Sequence, residues 1–274
     1  ADLSDIADYA KEAVALVQSY GIINGKTDTE FKPFDTMTRA EFAAITVRAL
    51  GLANKSNITF EDVKKNKAVQ TYIRMADESL HAMGYTEHGF AHVERVAETA
   101  REILLTLGYS EREAELASIA GYLHDIGNVV NREGHAQSGA VMAFRILDDM
   151  GADPEDTATI ITAIGNHDES AAFPVNPIAA ALLIADKSDV RNSRVRNTDI
   201  SSFDIHDRVN YAVKENKLKI IRDSHIELKL KIDKSMCAVM DYFEIFLQRM
   251  ILCRKSAEVL GLEFWLTINK QRVI

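Results

Sequence analysis

Six side chains in this sequence could act together on metal ions: His92, the adjacent His124 and Asp125, His135, His167 and Asp186. Each histidine offers a neutral imidazole nitrogen and each aspartate a hard anionic oxygen. This mixed donor set suits iron, manganese or zinc better than calcium or magnesium, which favour all-oxygen shells. Six donors exceed what one catalytic ion needs if positions are to stay open for water. They suit two divalent ions sharing a carboxylate, the arrangement that clamps the attacking and leaving oxygens of phosphoryl transfer.

A phosphate would need further cations. Lys187, Arg191, Arg194 and Arg196 follow Asp186 directly, in KSDVRNSRVRN. Arginine offers a planar fork to phosphate and lysine a point charge. At least one of these is expected to touch substrate; the plainer role is to complement a helix C-terminus. His88 lies one helical turn before His92 and either faces the same cavity or starts the helix. Asp168 and Glu169 either orient His167 or are solvated. His206 and His225, in polar loop-like settings, read as structural.

The elements that must bring these residues together are helices. Around His92, Val93, Val96, Ala97, Ala100, Ile103, Leu104 and Leu107 recur at helical spacing and Gly108 ends the run. Ser110 and Glu113 form a capping box for a helix reaching GYLHDIGN. Asp153-Pro154 and Asn176-Pro177 each supply an N-cap followed by proline at the first helical position. The six candidates fall near the ends of five successive helices, where a bundle can converge them.

Two flanking blocks differ from this region. Residues 1–52 hold an amphipathic stretch (Ile6, Tyr9, Ala10, Ala13, Val14, Val17), a turn-rich loop and a second helix capped by Thr38 and Glu41. Two such helices bury little, so the block is expected to lean on a partner or on the rest of the chain. Residues 53–57 read as a linker and 58–215 as the helical domain. From 216 to 274 the period changes to two: Ile226, Leu228, Leu230 and Ile232 alternate with polar residues, and a long helix over about 235–260 precedes the alternating LEFWLTINK. KLKII supplies a hairpin partner, giving a β-β-α-β annex. The fold class is therefore mainly α, with a small C-terminal α+β annex and an N-terminal two-helix unit.

Composition excludes several classes. The chain has 274 residues, 47% hydrophobic and 27% charged, which rules out a disordered or collagen-like chain. With 41 acidic against 32 basic residues, a net charge of −9 makes it a poor nonspecific binder of nucleic acid. No apolar run approaches the ~20 residues that span a bilayer. Cys237 and Cys253 cannot form a disulfide framework. No signal-peptide pattern follows Ala1. A cytoplasmic location is expected, or the cell surface if a leader was removed before Ala1.

HVERVAETA, GYLHDIGN, EGHAQSG, GNHDE and LLIADKSD, in this order, resemble the HD-domain metal-dependent phosphohydrolase superfamily over about residues 70–200. The resemblance implies an HD-type helical bundle with one metal on His92, His124, Asp125 and Asp186. It implies a second on His135 and His167, with Asp125 bridging and taking the catalytic role of orienting a metal-bound hydroxide. Iron or manganese is expected ahead of zinc. The implied substrate is a small phosphate ester or anhydride, nucleotide-like, with His88, Lys187, Arg191 and Arg194 as contacts. Ile126-Gly127-Asn128 after the HD pair sets the chain apart from stringent-response hydrolases, which carry acidic residues there. AAFPVN and Asn166 set it apart from cyclic-dinucleotide phosphodiesterases. Dinucleoside tetraphosphate hydrolases use a similar ligand series.

GIINGKTDTEFKPFDTMTRAEFAAITVRAL resembles one S-layer homology repeat. Such repeats attach proteins to cell-wall polymer, and the resemblance makes Arg39 the candidate contact. Two hypotheses follow: a phosphohydrolase whose annex supplies a homo-oligomer interface or pocket wall, or a wall-attached scaffolding protein whose helical domain binds metal without turnover.

Overall fold

The computed structural model describes residues 6–27, 30–49 and 57–274. The chain divides into two compact units, 1–56 and 57–274. The linker expected at 53–57 lies, except for Asn57, outside the described residues.

The first unit contains α1 (Asp8–Ser19) and α2 (Arg39–Ala49). The capping box forms: Thr38 N–H donates to Glu41 Oε2 at 2.7 Å and Glu41 N–H to Thr38 Oγ1 at 3.2 Å. Lys26 Nζ reaches Glu41 Oε1 at 2.7 Å, tying the preceding loop to the helix start. These partners, Lys26 first and then Thr38, draw the Glu41 pKa down to about 2. No α1 residue is buried, and Tyr9, Phe34 and Phe42 are exposed, as the small size of the unit leads one to expect.

The second unit is mainly helical: α3 (Phe60–Lys65), α4 (Lys67–Ala82), α5 (Phe90–Leu107), α6 (Glu111–Leu123), α7 (His135–Asp149), α8 (Pro154–Gly165), α9 (Pro177–Ser188), α10 (Ile205–Ala212) and α11 (Val239–Val259). The local signals act where the sequence places them. Ser110 and Glu113 cap α6 reciprocally, Asp153 and Asn176 cap α8 and α9 ahead of their prolines, and Gly108 ends α5 at φ 89°. Helix α9 is buried along nearly its whole length, packed by α5, α6, α8 and α11. That surround explains why PIAAALLIADKS is apolar on every face rather than on one stripe.

The annex is a sheet of order β1-β2-β3-β4, with β1 (Val213–Ile221), β2 (His225–Ile232), β3 (Glu263–Ile268) and β4 (Gln271–Arg272). β1 and β2 pair antiparallel, with Leu218 opposite Leu228; β2 and β3 are parallel, with Leu228 opposite Leu266, and α11 makes the crossover. Three details differ from the sequence expectation. β1 begins at Val213, ahead of the KLKII segment and of the annex boundary at 216. α11 begins at Val239 because Asp233 bonds Ser235 in a turn and Asp241 reaches back to the Ala238 N–H. The last strand turns back at Asn269 and Lys270, both at positive φ, to form the short β4. Annex residues Phe246, Phe264 and Leu266 share one continuous core with Ile119, Leu182 and Ile184. Among the described residues no helix is long and apolar enough to cross a membrane.

Candidate metal centre

The five helices α5–α9 deliver the expected residues to one place. His92 sits in the first turn of α5, His124 and Asp125 follow the end of α6, and His135 opens α7. His167 follows α8, and Asp186 lies in the last turn of α9. After Asp125 the chain tightens into a 3₁₀ turn, Ile126–Val129. Gly127 is required there. A Cβ at this position would stand 2.0 Å from the His135 carbonyl oxygen and 2.5 Å from the Gly139 amide nitrogen. Its absence lets the start of α7 press against the HD turn, which brings His135 to Asp125.

The carboxylate of Asp125 faces two sets of histidines. Its Oδ2 lies 3.2 Å from His124 Nε2 and 3.8 Å from His92 Nε2. Its Oδ1 lies 3.5 Å from His135 Nε2 and 3.7 Å from His167 Nε2. Asp186 Oδ1 completes the first set, 3.4 Å from His92 Nε2 and 3.8 Å from His124 Nε2. Ligand atoms of His92, His124 and Asp186 all lie within 4.8 Å of one another, as do those of His124, Asp125 and His167.

Each imidazole is held by its other nitrogen. Nδ1–H of His124 donates to the Gly121 carbonyl at 2.8 Å, that of His135 to Arg132 at 2.9 Å and that of His167 to Ile164 at 2.6 Å. His92 Nδ1–H donates to Asp189 Oδ2 at 2.8 Å. All four acceptors are oxygens that cannot donate, so each neutral ring keeps its lone pair on Nε2, toward the cluster. His92 Nε2 and His124 Nε2 are buried without a hydrogen-bond partner. Two orphaned buried nitrogens and two carboxylate oxygens converging on one point fit a divalent cation, which supplies what protein donors do not.

Residues 89–201 match the family model for the HD domain, and residues 1–43 that for the S-layer homology domain. This chain carries an HD domain. An uncharacterized protein of Methanocaldococcus jannaschii is 26% identical over 170 residues, covering 54% of this chain and 65% of that relative. The Surface-layer 125 kDa protein of Lysinibacillus sphaericus is 32% identical over 120 residues, 43% of this chain and 10% of the relative. Exoglucanase XynX of Acetivibrio thermocellus is 40% identical over 63 residues, 22% of this chain and 6% of the relative. The chain thus covers less than two thirds of each of these relatives. No solved structure matches.

The electrostatics of the HD domain follow from burial and close charges. Burial opposes protonation of His124, but Asp125 and Asp186 outweigh it and raise its pKa. Burial also opposes ionisation of Asp125 and Asp186. His124 beside Asp125, and Lys187 and His92 beside Asp186, hold both well below the usual carboxylate range. His135 falls to about 4, by burial with His167 and Arg132 beside it, and His167 is lowered chiefly by burial. Asp125 and Asp186 are thus the anionic groups of the cluster, and the imidazole Nε2 atoms stand beside them.

A cavity of about 590 Å³ opens over the HD domain's cluster. His88, Lys187 and Arg194 line it; Arg191 does not. Lys187 Nζ donates to Asp186 Oδ2 at 2.7 Å, the oxygen turned away from the histidines. Arg191 instead binds Asp189 Oδ1 at 2.9 Å and Ser193 Oγ at 2.7 Å, with Glu87 3.4 Å away. Arg194 is spent on the Glu87 and Asp189 carbonyls, and Arg196 on Asp77. The basic run therefore mostly builds the loop after α9. Glu169, its side chain 28% exposed, accepts from Arg249 at 2.5 Å rather than bonding His167; Asp168 Oδ1 lies 3.9 Å from His135 Nε2. His206 lies on the cavity rim rather than in a purely structural setting, whereas His225 stacks on Trp265 with ring centroids 3.4 Å apart. Sequence reasoning passed over Asp189, Arg132 and Arg249. Asp189 stands three residues after Asp186, a helical spacing that could have found it; Arg132 lies in the turn before α7 opens at His135, where no helical spacing points to it. Arg249 enters from α11, and no local pattern announces it. Arg39 opens α2 in the other unit and is exposed.

Proposed function

We propose that this protein is a metal-dependent phosphohydrolase that cleaves a small, nucleotide-like phosphate ester or anhydride at a binuclear site. The observation that carries this reading is Asp125, whose two oxygens face separate histidine sets beneath a cavity holding cations. His92, His124, Asp125 and Asp186 would hold one divalent ion, and His135, His167 and Asp125 the other. Iron or manganese fits the nitrogen-rich donor set, and zinc is the alternative. Such ions, when bound, supply Lewis acidity and bring the pKa of a water near neutrality.

The chain's own residues supply the rest. Asn128 Nδ2 donates to Asp125 Oδ1 at 2.9 Å, holding the carboxylate with one oxygen toward each histidine set. Lys187 fixes Asp186 and stands in the cavity wall, where its charge offsets negative charge gathering on phosphoryl oxygens. Arg132, 3.4 Å from His135 Nε2 and 5.5 Å from the Tyr85 ring centroid, offers a guanidinium beside the same cluster. His88 Nδ1–H is held by the Thr86 carbonyl at 2.7 Å, leaving Nε2 as an acceptor for a water or substrate hydroxyl.

The test is metal analysis combined with hydrolysis of dinucleoside polyphosphates, cyclic dinucleotides, mononucleotides and p-nitrophenyl esters. Two metals per chain and turnover lost in Asp125→Ala are expected. A metal-free chain inert on the whole panel sinks the reading.

The S-layer homology domain and the surface-layer relative favour cell-surface association over the cytoplasmic location expected from sequence. We infer that the first unit binds wall polymer through the face bearing Arg39. Sedimentation with purified cell wall, weakened in Arg39→Ala, is the expected result; a chain that stays in the supernatant excludes it.

A further inference from the structure

The arginines that follow Asp186 use terminal amino groups on carboxylates and carbonyls, whereas one arginine of the cavity keeps both of its own unbonded among the described residues. Arg249 lies on α11, beyond residue 201 where the HD match ends, and it lines the same cavity as the histidine cluster. Its Nε donates to Glu169 Oε1 at 2.5 Å, and its guanidinium lies 4.7 Å from the Phe246 ring centroid. Among the described residues neither terminal amino group has a protein hydrogen-bond partner, so four of the five guanidinium N–H donors remain free. An arginine fixed through Nε and backed by a ring is preorganised to take an anion through its two remaining nitrogens.

Its ion pair leaves the terminal amino groups open: Glu169 takes the Nε–H, and Lys187, 4.0 Å from the same Oε1, is itself paired with Asp186 at 2.7 Å. Asp204, which caps α10, and Asp207 line the cavity together with Arg132, Lys187 and Arg194, so it is mixed in charge rather than a general basic field. The volume of about 590 Å³ lies in the range of roughly 300–1,000 Å³ that encloses whole small ligands, beyond the needs of one phosphoryl group.

Resting on the phosphohydrolase reading, we propose that Arg249 is a specificity-determining residue that binds a second phosphoryl group of the substrate, remote from the one at the histidine cluster. The annex thereby selects substrates with two or more phosphoryl groups over simple monoesters. Arg249 acts by binding, and no bond to it forms or breaks.

The full chain, loaded with manganese, is titrated calorimetrically with methylenediphosphonate and with methylphosphonate, stable probes carrying two phosphoryl groups and one. The wild type is expected to prefer the diphosphonate, and Arg249→Ala to lower that preference by roughly tenfold. Arg249→Lys should recover part of it, because charge remains while the fork is lost. Glu169→Gln removes the ion-pair partner but keeps the guanidinium, and should retain or widen the preference. A purely structural ion pair would instead make Glu169→Gln behave like Arg249→Ala. An unchanged preference in Arg249→Ala, or an equal loss in Glu169→Gln, overturns the assignment and leaves the hydrolase reading standing. A wild type that binds neither probe and hydrolyses no phosphate ester overturns both.

Discussion

The Nε2 atoms of His135 and His167 face one another at 3.1 Å. Both rings donate their Nδ1–H to backbone carbonyls, so two lone pairs point at the same spot, with Asp125 Oδ1 3.5 and 3.7 Å away. Asn128 donates to that oxygen and Arg132 stands 3.4 Å from His135 Nε2, but neither lies between the two facing nitrogens. The lone pairs of those nitrogens repel one another, and a cation reverses the sign of that interaction. His167→Ala should therefore lower the metal content from two ions per chain to one, read by elemental analysis after gel filtration. An unchanged metal content would mean that His135 and His167 bind no ion of their own.

Asp189 is the partner that holds His92. It is buried, accepts Nδ1–H of His92 at 2.8 Å, and is flanked by Arg191 at 2.9 Å and Arg95 at 3.2 Å. Asp189→Asn keeps the shape but removes the charge that makes the imidazole a better ligand. Metal affinity should fall by about 10- to 100-fold, measured by competition with a chelating dye. An affinity within about twofold of the wild type would leave Asp189 a structural role alone.

Helical periodicity and caps made the site legible in outline, because His92, His124, Asp125, His135, His167 and Asp186 stand beside helix ends that Gly, Ser, Asn and Pro mark. The strand alternation around Leu228 likewise revealed the annex. What stayed hidden depended on tertiary approach. Arg191 and Arg194 have the residue type of a phosphate contact, yet Asp189 and the Glu87 loop claim both. Arg249 reaches the cavity only because α11 packs against α9, a pairing that no spacing along the chain encodes.

The metal-free chain should lose stability in mild acid. His135 has its pKa lowered to about 4, and that of His167 is also lowered, chiefly by burial, so the unfolded chain binds protons more readily than the folded one. Their stabilising effect is present above the ordinary histidine value and is lost as pH falls toward 4. His124, whose pKa is raised beside Asp125 and Asp186, works the other way and loses its contribution as pH rises. His88 is lowered well below the ordinary value by burial as well, so three groups oppose one, and the unfolding free energy of the chelated protein in urea should fall by about 1–3 kcal/mol between about pH 6.5 and pH 4. A flat or rising free energy over that window would show that His124 dominates.

Gly127 couples the HD turn to α7, and substitution there should affect folding and metal together. A Cβ would lie 2.0 Å from one backbone atom and 2.5 Å from another, neither of which can swing aside as a side chain could. Relief requires α7 to retreat from the turn, and His135, its first residue, must move with it. Gly127→Ala should therefore cost about 3 kcal/mol or more in urea unfolding. It should also weaken binding at the His135 and His167 pair more than at the His92, His124 and Asp186 set, because α5 and α9 carry two of the latter three residues and do not press on Gly127. Equal weakening of both would point to general unfolding, so the informative measurement is stepwise metal titration below the unfolding transition.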